Sequence, residues 1–151
     1  MIDLSAIKDT LAARIQAVTG VPCRAYGWVT DKPEVPSGGV AFIVSGPAFG
    51  DFTYHDVMAR GTCNLKLTVM AIAADTSDGR AERLLDQVMS AGTGAPLSLF
   101  DAFGSVEFTS SPPWDDCQIV QAGHQGQIQQ PDANTSYLRA DFDILIHRSR
   151  S

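Results

Sequence analysis

Hydrophobic and polar residues alternate through residues 62–72, a pattern typical of a β-strand with one buried and one polar face. The odd-numbered positions 63–71 are apolar, whereas Asn64, Lys66 and Thr68 share the opposite face. Residues 137–147 alternate in the same way. The two segments therefore predict long strands that belong to a sheet with one core-facing side.

A helix is predicted near the start of the chain, over residues 3–19. The apolar residues that recur there at spacings of three and four are Leu4, Ile7, Leu11, Ile15 and Val18. Asp3 is a suitable N-cap, and Gly20 is suited to end the helix. Lys8 is predicted to lie off the apolar stripe. We expect this helix to pack on the sheet.

Two further helices are predicted in the middle of the chain. The apolar positions of the first, over residues 80–90, are Ala81, Leu84, Leu85, Val88 and Met89. Ser77 is suited to cap its start and Gly92 its end. A short third helix is expected to begin near Pro96 and to close at Gly104.

The other strands are predicted at residues 23–29, 40–44, 105–108 and 117–129. Residues 40–44 are apolar on both sides, which favours a central position in the sheet. Glycines at positions 123 and 126 suggest a bulge or close packing in the strand over 117–129. A loop rich in proline and glycine covers residues 31–39.

Length and charge narrow the class of protein. A chain of 151 residues fits one domain, which we place at residues 1–147, followed by a flexible tail at 148–151. The net charge of −6 and the scattering of 11 basic residues argue against a nucleic-acid binder. The N-terminus lacks the pattern of a secretory signal, and no stretch approaches the roughly 18 apolar residues of a membrane span. We therefore expect assembly in a cytoplasm.

Candidate nucleophiles and metal ligands are sparse in the sequence. They are Cys23, Cys63, Cys117, His55, His124 and His147. Cys63 falls on the apolar face of a strand, which favours a buried structural thiol. Cys117 and His124 stand at an odd spacing on one strand and should face opposite sides, unless a bulge at Gly123 reverses the alternation. We predict no catalytic residues, no metal site and no cofactor.

Charged residues on the two long strands suggest a different kind of site. Asp141 and Asp143 share a strand face about 7 Å apart, which suits either acid–base chemistry or simple hydration. Arg139 lies on the same face, and Lys66 lies on the polar face of residues 62–72. If the two strands pair, their polar face is mixed in charge. Such a surface suits contacts between subunits, because charge complementarity fixes orientation.

Aromatic residues offer a second set of interface candidates. Phe49, Phe52 and Tyr54 lie in a segment flanked by glycine, and Trp114 lies in a loop rich in proline and aspartate. Exposed aromatic side chains favour interfaces because they bury a large area at low entropic cost. A place in the core is an equally good interpretation of each of these four residues.

The order of segments resembles a known group of proteins. After the N-terminal helix and the proline-rich loop come Val40-Ala41-Phe42-Ile43-Val44 and the long strand. The sequences Asp75-Thr76-Ser77-Asp78-Gly79-Arg80-Ala81-Glu82-Arg83-Leu84-Leu85 and Tyr137-Leu138-Arg139-Ala140-Asp141-Phe142-Asp143-Ile144 follow. In this order the chain resembles the tail terminator, or tail completion, proteins of long-tailed bacteriophages.

The resemblance implies an α+β fold, in which two main helices and a short third one pack on one face of a mixed, mostly antiparallel sheet. Six copies would form a ring on the tail tube protein, stop tail polymerisation and offer a surface to the head–tail connector. DNA would pass through the ring without specific binding, at the head-proximal end of the virion tail. The alternatives are another neck protein of the virion, a small hydrolase, or a ligand-binding module with a pocket under the proline-rich loop.

Overall fold

Two long antiparallel strands form the middle of the sheet. The computed structural model describes residues 3–25, 39–54, 62–74, 79–91, 98–105, 108, 112–129 and 136–149. The helices in these ranges are α1 (Leu4–Thr19), α2 (Arg80–Met89) and α3 (Leu99–Phe103), and the strands are β1 (Cys23–Arg24), β2 (Val40–Ser45), β3 (Phe52–Tyr54), β4 (Thr62–Ala74), β5 (Asp116–Gln129) and β6 (Ser136–Ser149). β4 pairs with β6 along all 13 of its residues.

The sheet is mixed and mostly antiparallel. Its order is β1-β2-β4-β6-β5, with β3 paired to β4 beside this path. β1 is parallel to β2, and the other described pairs are antiparallel. The predicted α+β fold and the central position of β2 are confirmed. The two long alternating strands pair directly, which the sequence left open.

β2 and β3 lie end to end along the same edge of β4. Ser45 of β2 is opposite Thr68, and Phe52 of β3 is opposite Leu65. The chain between them, which we call the 46–51 loop, lies beside residues 66 and 67 of β4. The glycines at both ends of this loop have positive φ values, 94° at Gly46 and 93° at Gly50, which residues with a β-carbon rarely adopt.

All three helices pack on one face of the sheet, and the main core lies between the two layers. Ile7, Leu11 and Ile15 of α1 are buried there, as the helical spacing predicts. The caps of α1 are also as predicted. The Asp3 carboxylate accepts a hydrogen bond from the Ala6 N–H at 3.1 Å, and Gly20 ends the helix at φ 72°.

The ends of α2 and the start of α3 differ from the prediction. α2 begins after Gly79, whose φ of 74° turns the chain into the helix without a side-chain cap, and it ends at Ser90. The predicted caps Ser77 and Gly92 lie outside the described residues, as does Pro96. α3 is capped by Ser98, whose hydroxyl accepts a hydrogen bond from the Asp101 N–H at 3.2 Å. Gly104 ends α3 as expected.

Two predicted boundaries are wrong. Residues 105 and 108 are not part of a strand, because Phe108 is helical and its N–H is held by the Ser105 hydroxyl at 3.2 Å. The C-terminal tail was expected from residue 148, but β6 continues to Ser149. Arg148 pairs there with Asp115 at 3.7 Å, which ties the end of β6 to the start of β5.

Candidate interaction surface

The face of the sheet opposite the helices carries a compact set of polar side chains from three strands. We call it the polar face and define it by Lys66 and Thr68 of β4, Gln121 of β5, and Arg139, Asp141 and Asp143 of β6. The pairing register places Thr68, Asp143 and Gln121 in one row across the sheet. The predicted convergence of Lys66, Arg139, Asp141 and Asp143 on one face is confirmed.

Asp143 is the centre of this polar face. Its carboxylate lies 3.5 Å from the Lys66 ammonium and accepts hydrogen bonds from the Thr68 hydroxyl at 3.5 Å and from the Gln121 amide. The side chain is 17% exposed. One cation and two hydrogen-bond donors, from the neighbouring strands β4 and β5, converge on this carboxylate. Asp143 thus links β4, β6 and β5 through side chains.

Asp141 has its own cationic partner. The Arg139 guanidinium donates two hydrogen bonds to its carboxylate, at 2.6 and 2.7 Å. The hydrogen bonds to Asp141 raise the pKa of Arg139. Asp141 and Asp143 are each contacted by a different cation, so the arrangement is a charge-paired surface.

The same side of the sheet also carries apolar side chains, next to the polar face. Ile43, Met70, Ile72 and Tyr137 form a second buried cluster, separate from the core under the helices. Its members come from β2, β4 and β6, on the side that carries Lys66 and Asp143. Met70 is directly opposite Asp141, and Ile72 is directly opposite Arg139, so this apolar cluster borders the polar face within the same rows.

Phe49 is the most exposed aromatic side chain in the described part of the protein, at 108% of the reference value. It lies in the 46–51 loop, whose backbone is held at several points. The Asp51 N–H donates to the Ala48 carbonyl at 2.9 Å, and the Asp51 carbonyl accepts from the Lys66 N–H at 2.8 Å. A third bond, from the ammonium of Lys8 to the Gly46 carbonyl, measures 2.9 Å. The loop presents a large apolar group on a well-defined backbone.

Trp114 is not a surface aromatic. It is 5% exposed and belongs to the main core. The ring centroids of Trp114 and Phe108 are 6.0 Å apart, and the central guanidinium carbon of Arg14 lies 5.6 Å from the centroid of the Trp114 ring. Arg14 also donates a hydrogen bond to the Phe108 carbonyl. Of the two interpretations that the sequence left open, the structure favours the core, because the Trp114 side chain is buried among the main-core residues.

The other two aromatic candidates belong to a strand. Phe52 and Tyr54 are in β3, where they are opposite Leu65 and Cys63 of β4. Their side chains lie outside the described residues. The backbone pairing shows that this segment is a strand beside β4 and not a loop.

The thiols are placed unfavourably for nucleophilic chemistry. Burial raises the pKa of Cys23 and of Cys117 to about 12 and raises that of Cys63 as well. A thiol with a raised pKa has little thiolate at neutral pH, and the thiolate is the reactive form. The three thiols are free, without disulfide partners.

Cys117 and His124 share a face of the sheet, contrary to the simplest reading of their spacing. A bulge at Val120, between the pairs Ile119–Ile144 and Gln121–Asp143, reverses the alternation. We predicted opposite faces unless a bulge lay at Gly123, and the bulge lies three residues earlier. The two residues are opposite Ile146 and Ala140, about 20 Å apart along β6 at the usual strand rise. They do not form one site.

The described histidines have other partners. His124 reaches across to α2, where its ring nitrogen lies 2.7 Å from the Asp86 carboxylate. The ring of His147 hydrogen bonds to Asn64 at 2.8 Å. His55 lies outside the described residues. Within the part of the chain that the structure describes, no three residues of the metal-binding types are grouped.

Grooves lie beside α1 and α2 in the part of the chain that the structure describes. The groove on α1 has a volume of about 480 Å³ and is lined mainly by small side chains, among them Ala13 and Ala17. The groove on α2 has a volume of about 370 Å³ and is lined by Arg80, Arg83, Leu84 and Gln87. The pocket expected under the proline-rich loop falls outside the described residues.

β5 forms one edge of the sheet, and no described strand pairs with its outer side. Its side chains from Gln118 to Gln121 are largely exposed, and Val120, at the bulge, is 49% exposed. Asp116 is the one acidic residue of the strand, which contains no lysine, arginine or proline. Charged residues and proline are common protections of sheet edges, so this edge is open to pairing or packing.

Several of the residues that shape these surfaces escaped sequence analysis. Lys8 is 8% exposed, although we predicted it off the apolar stripe. Its spacing from Leu4 and Leu11, four and three residues, places it on the stripe, and this signal was available. Arg14 is three residues from Leu11 and faces Trp114 for the same reason. The role of Gln121 depends on the Val120 bulge, which no local signal indicates.

Comparison with known proteins does not assign the chain to a family. No protein-family model matches the chain, and no curated protein matches it either. Among the described residues, the structure contains no helix with the length and apolar character needed to cross a membrane.

Proposed function

We propose that this protein is a structural subunit of a bacteriophage tail, which forms a ring of six copies on the head-proximal end of the tail tube. In this role it stops tail polymerisation and provides the attachment surface for the head–tail connector. The observation that carries the proposal is the contrast between paired polar groups and one unpaired apolar group. The charges of the polar face are paired with one another, whereas Phe49 projects from a loop that is held by three hydrogen bonds.

A surface of this kind supports association better than chemistry. Interfaces commonly combine an apolar anchor with surrounding polar groups whose hydrogen bonds are already satisfied. A catalytic site needs a nucleophile or acid within reach of a base. The thiols and histidines described here are buried, distant from one another or engaged with other residues. In the proposed role the protein needs no cofactor and does not act as an enzyme.

The order of elements and the two segments 75–85 and 137–144 supply the more specific part of the proposal, through the resemblance to tail terminator proteins. Net charge is compatible with the same role. A subunit with a charge of −6 repels the DNA phosphates that would pass through such a ring, so DNA would move without specific binding. The virion tail is the proposed location, after assembly in the host cytoplasm.

Electron microscopy of the purified protein mixed with tail tubes of the same phage tests the proposal. We expect rings in the free protein or caps at one end of each tube, and tubes that no longer elongate. Binding to isolated neck complexes without binding to tubes would assign the protein to the neck instead. A protein that stays monomeric beside tubes and neck complexes would refute the proposal.

A test of the enzymatic alternative uses the same assay. The double variant Cys117→Ala, His124→Gln removes the more exposed of the two described imidazoles and the least buried of the three thiols. We expect it to cap tubes like the unmodified protein, after correction for any loss of folded protein measured by circular dichroism. Loss of capping in a fully folded variant would contradict the assignment of these residues to structure.

A further inference from the structure

Two large hydrophobic residues are exposed in the described part of the protein, and they lie on opposite edges of the sheet. Phe49 projects from the 46–51 loop, beside the edge of β4 that also holds β2 and β3. Val120 lies in the bulge of β5, at the far edge. Phe49 is fully exposed and Val120 is about half exposed, so both side chains have apolar surface available for contact with another molecule.

The two residues also occupy the same row across the strands. The 46–51 loop lies beside residues 66 and 67 of β4, because Ser45 is opposite Thr68 and Phe52 is opposite Leu65. Residues 66–68 of β4 are opposite 143–145 of β6, which are in turn opposite 118–121 of β5. The line from the loop through β4 and β6 to Val120 therefore runs nearly perpendicular to the strands, over about 14 Å at the usual strand spacing.

We propose that Phe49 of one subunit packs against the β5 edge around Val120 of the next copy of the chain, forming a head-to-tail contact. The contact joins two different surfaces of the chain. Each subunit packs its Phe49 on one neighbour and receives the Phe49 of the other neighbour at its own β5 edge. Such contacts build closed rings when successive copies are related by rotation, and filaments when each copy is also shifted along the axis. With both surfaces in one row, successive copies need no shift along the strand direction.

The composition of the β5 edge favours Phe49 of another copy as its binding partner. Between Cys117 and Gln125 the strand carries no lysine, arginine, aspartate or glutamate, so an aromatic ring can dock without desolvating a charge. The 46–51 loop is held by α1 and β4, which lowers the entropy lost when Phe49 is immobilised. This inference rests on the proposed ring and supplies the contact between its subunits.

Sedimentation velocity over a range of protein concentrations tests the contact, with the variants Phe49→Asp and Val120→Asp. Both residues are exposed, so each variant should keep the thermal midpoint of the unmodified protein. We expect each variant to weaken self-association by roughly 10- to 100-fold, the equivalent of one lost apolar side chain. Ala91→Asp places the same charge at an exposed position outside the contact and should assemble normally.

Mixing the two variants distinguishes a head-to-tail contact from a symmetric one. Phe49→Asp subunits keep an intact β5 edge, and Val120→Asp subunits keep an intact Phe49. One productive contact can then form in each pair, and the carboxylates repel at the other side, so we expect the mixture to stop at dimers. Mixtures that stay monomeric would overturn the proposed contact.

A charge exchange within one chain provides the positive test. The double variant Phe49→Asp, Val120→Lys places opposite charges across every contact, and we expect it to recover part of the association that Phe49→Asp loses. Normal rings formed by both aspartate variants would refute this contact and leave the proposed function intact. Failure of the unmodified protein to associate, alone or with tubes, would refute both.

Discussion

The two faces of the β4–β6 ladder are built from alternate residues of the same strands, yet their environments differ. Toward the helices, Leu65, Leu67 and Val69 are all 0% exposed and pack in the main core. On the other side, Lys66 and Thr68 are partly exposed and contact Asp143 through polar atoms. One residue of displacement along the strand thus changes the interaction from close apolar packing to ion pairing.

The difference indicates a division of roles between the faces. Burial of apolar surface is the dominant favourable term in folding, so the helix-covered face should carry most of the stability. Ion pairs with partial solvent contact contribute little to stability but impose geometry on whatever binds them. Substitutions on the polar face should therefore alter the binding of partners with little loss of stability, because the helix-covered core stabilises the fold.

The largest effect is expected from Trp114→Ala on the helix-covered side. The change removes the ring that packs near Phe108 and beneath Arg14 and leaves a cavity in the core. We expect a loss of about 3–5 kcal/mol in the free energy of unfolding, measured by urea denaturation. A loss below about 1 kcal/mol would remove Trp114 from the core and return it to the interface candidates.

An intermediate effect is expected from alkaline pH. Cys23 has a pKa of 9.0 without burial and about 12 in the folded protein. The unfolded chain releases this proton first, so rising pH favours unfolding between those two values, and the folded state loses stability there. We expect the free energy of unfolding to fall more steeply above pH 9.0 in the unmodified protein than in Cys23→Ala. Equal slopes for the two proteins would contradict the burial of this thiol.

A smaller effect is expected from Asp143→Asn on the polar face. The amide keeps an oxygen that can accept from Thr68 but loses the attraction to Lys66. We expect a loss below about 1 kcal/mol in the free energy of unfolding, and less dependence of stability on salt. Asp116→Asn, at an exposed position of β5, is the matched control. A loss above about 2 kcal/mol would make the polar face a second source of stability.

The smallest effect on stability is expected from Phe49→Ala. The side chain is fully exposed, so its removal leaves no cavity and exposes no buried donor. We expect a change within about 0.5 kcal/mol in the free energy of unfolding. The same variant tested for association then reports on interface energy alone. A large destabilisation would show that the Phe49 side chain packs within its own subunit.

The features that sequence analysis predicted correctly depend on local signals. α1 was bounded correctly because Asp3 and Gly20 specify its ends and the spacing from Leu4 to Val18 specifies its buried side. The alternation in β4 and β6 was long enough to separate their two faces. Their direct pairing then placed Lys66 and Asp143 together, as the mixed-charge surface required.

The features that sequence analysis missed depend on distant contacts. Trp114 is buried under Arg14, which is 100 residues earlier in the chain, so neither neighbourhood reveals the other. The bulge at Val120 exists relative to β6 and changes which residues of β5 share a face. Lys8 was misassigned for another reason. Its charge outweighed its helical spacing, although a lysine can reach a carbonyl such as that of Gly46 from an apolar face.

The antiparallel ladder between β4 and β6 has a mechanical consequence. Its 13 residue pairs lie side by side along the full length of β4. Traction along the strands would load the hydrogen bonds of this ladder together, in shear, whereas traction across the strands would peel them apart one after another. The subunit should therefore be stiff in one direction and comparatively easy to unzip in the perpendicular one.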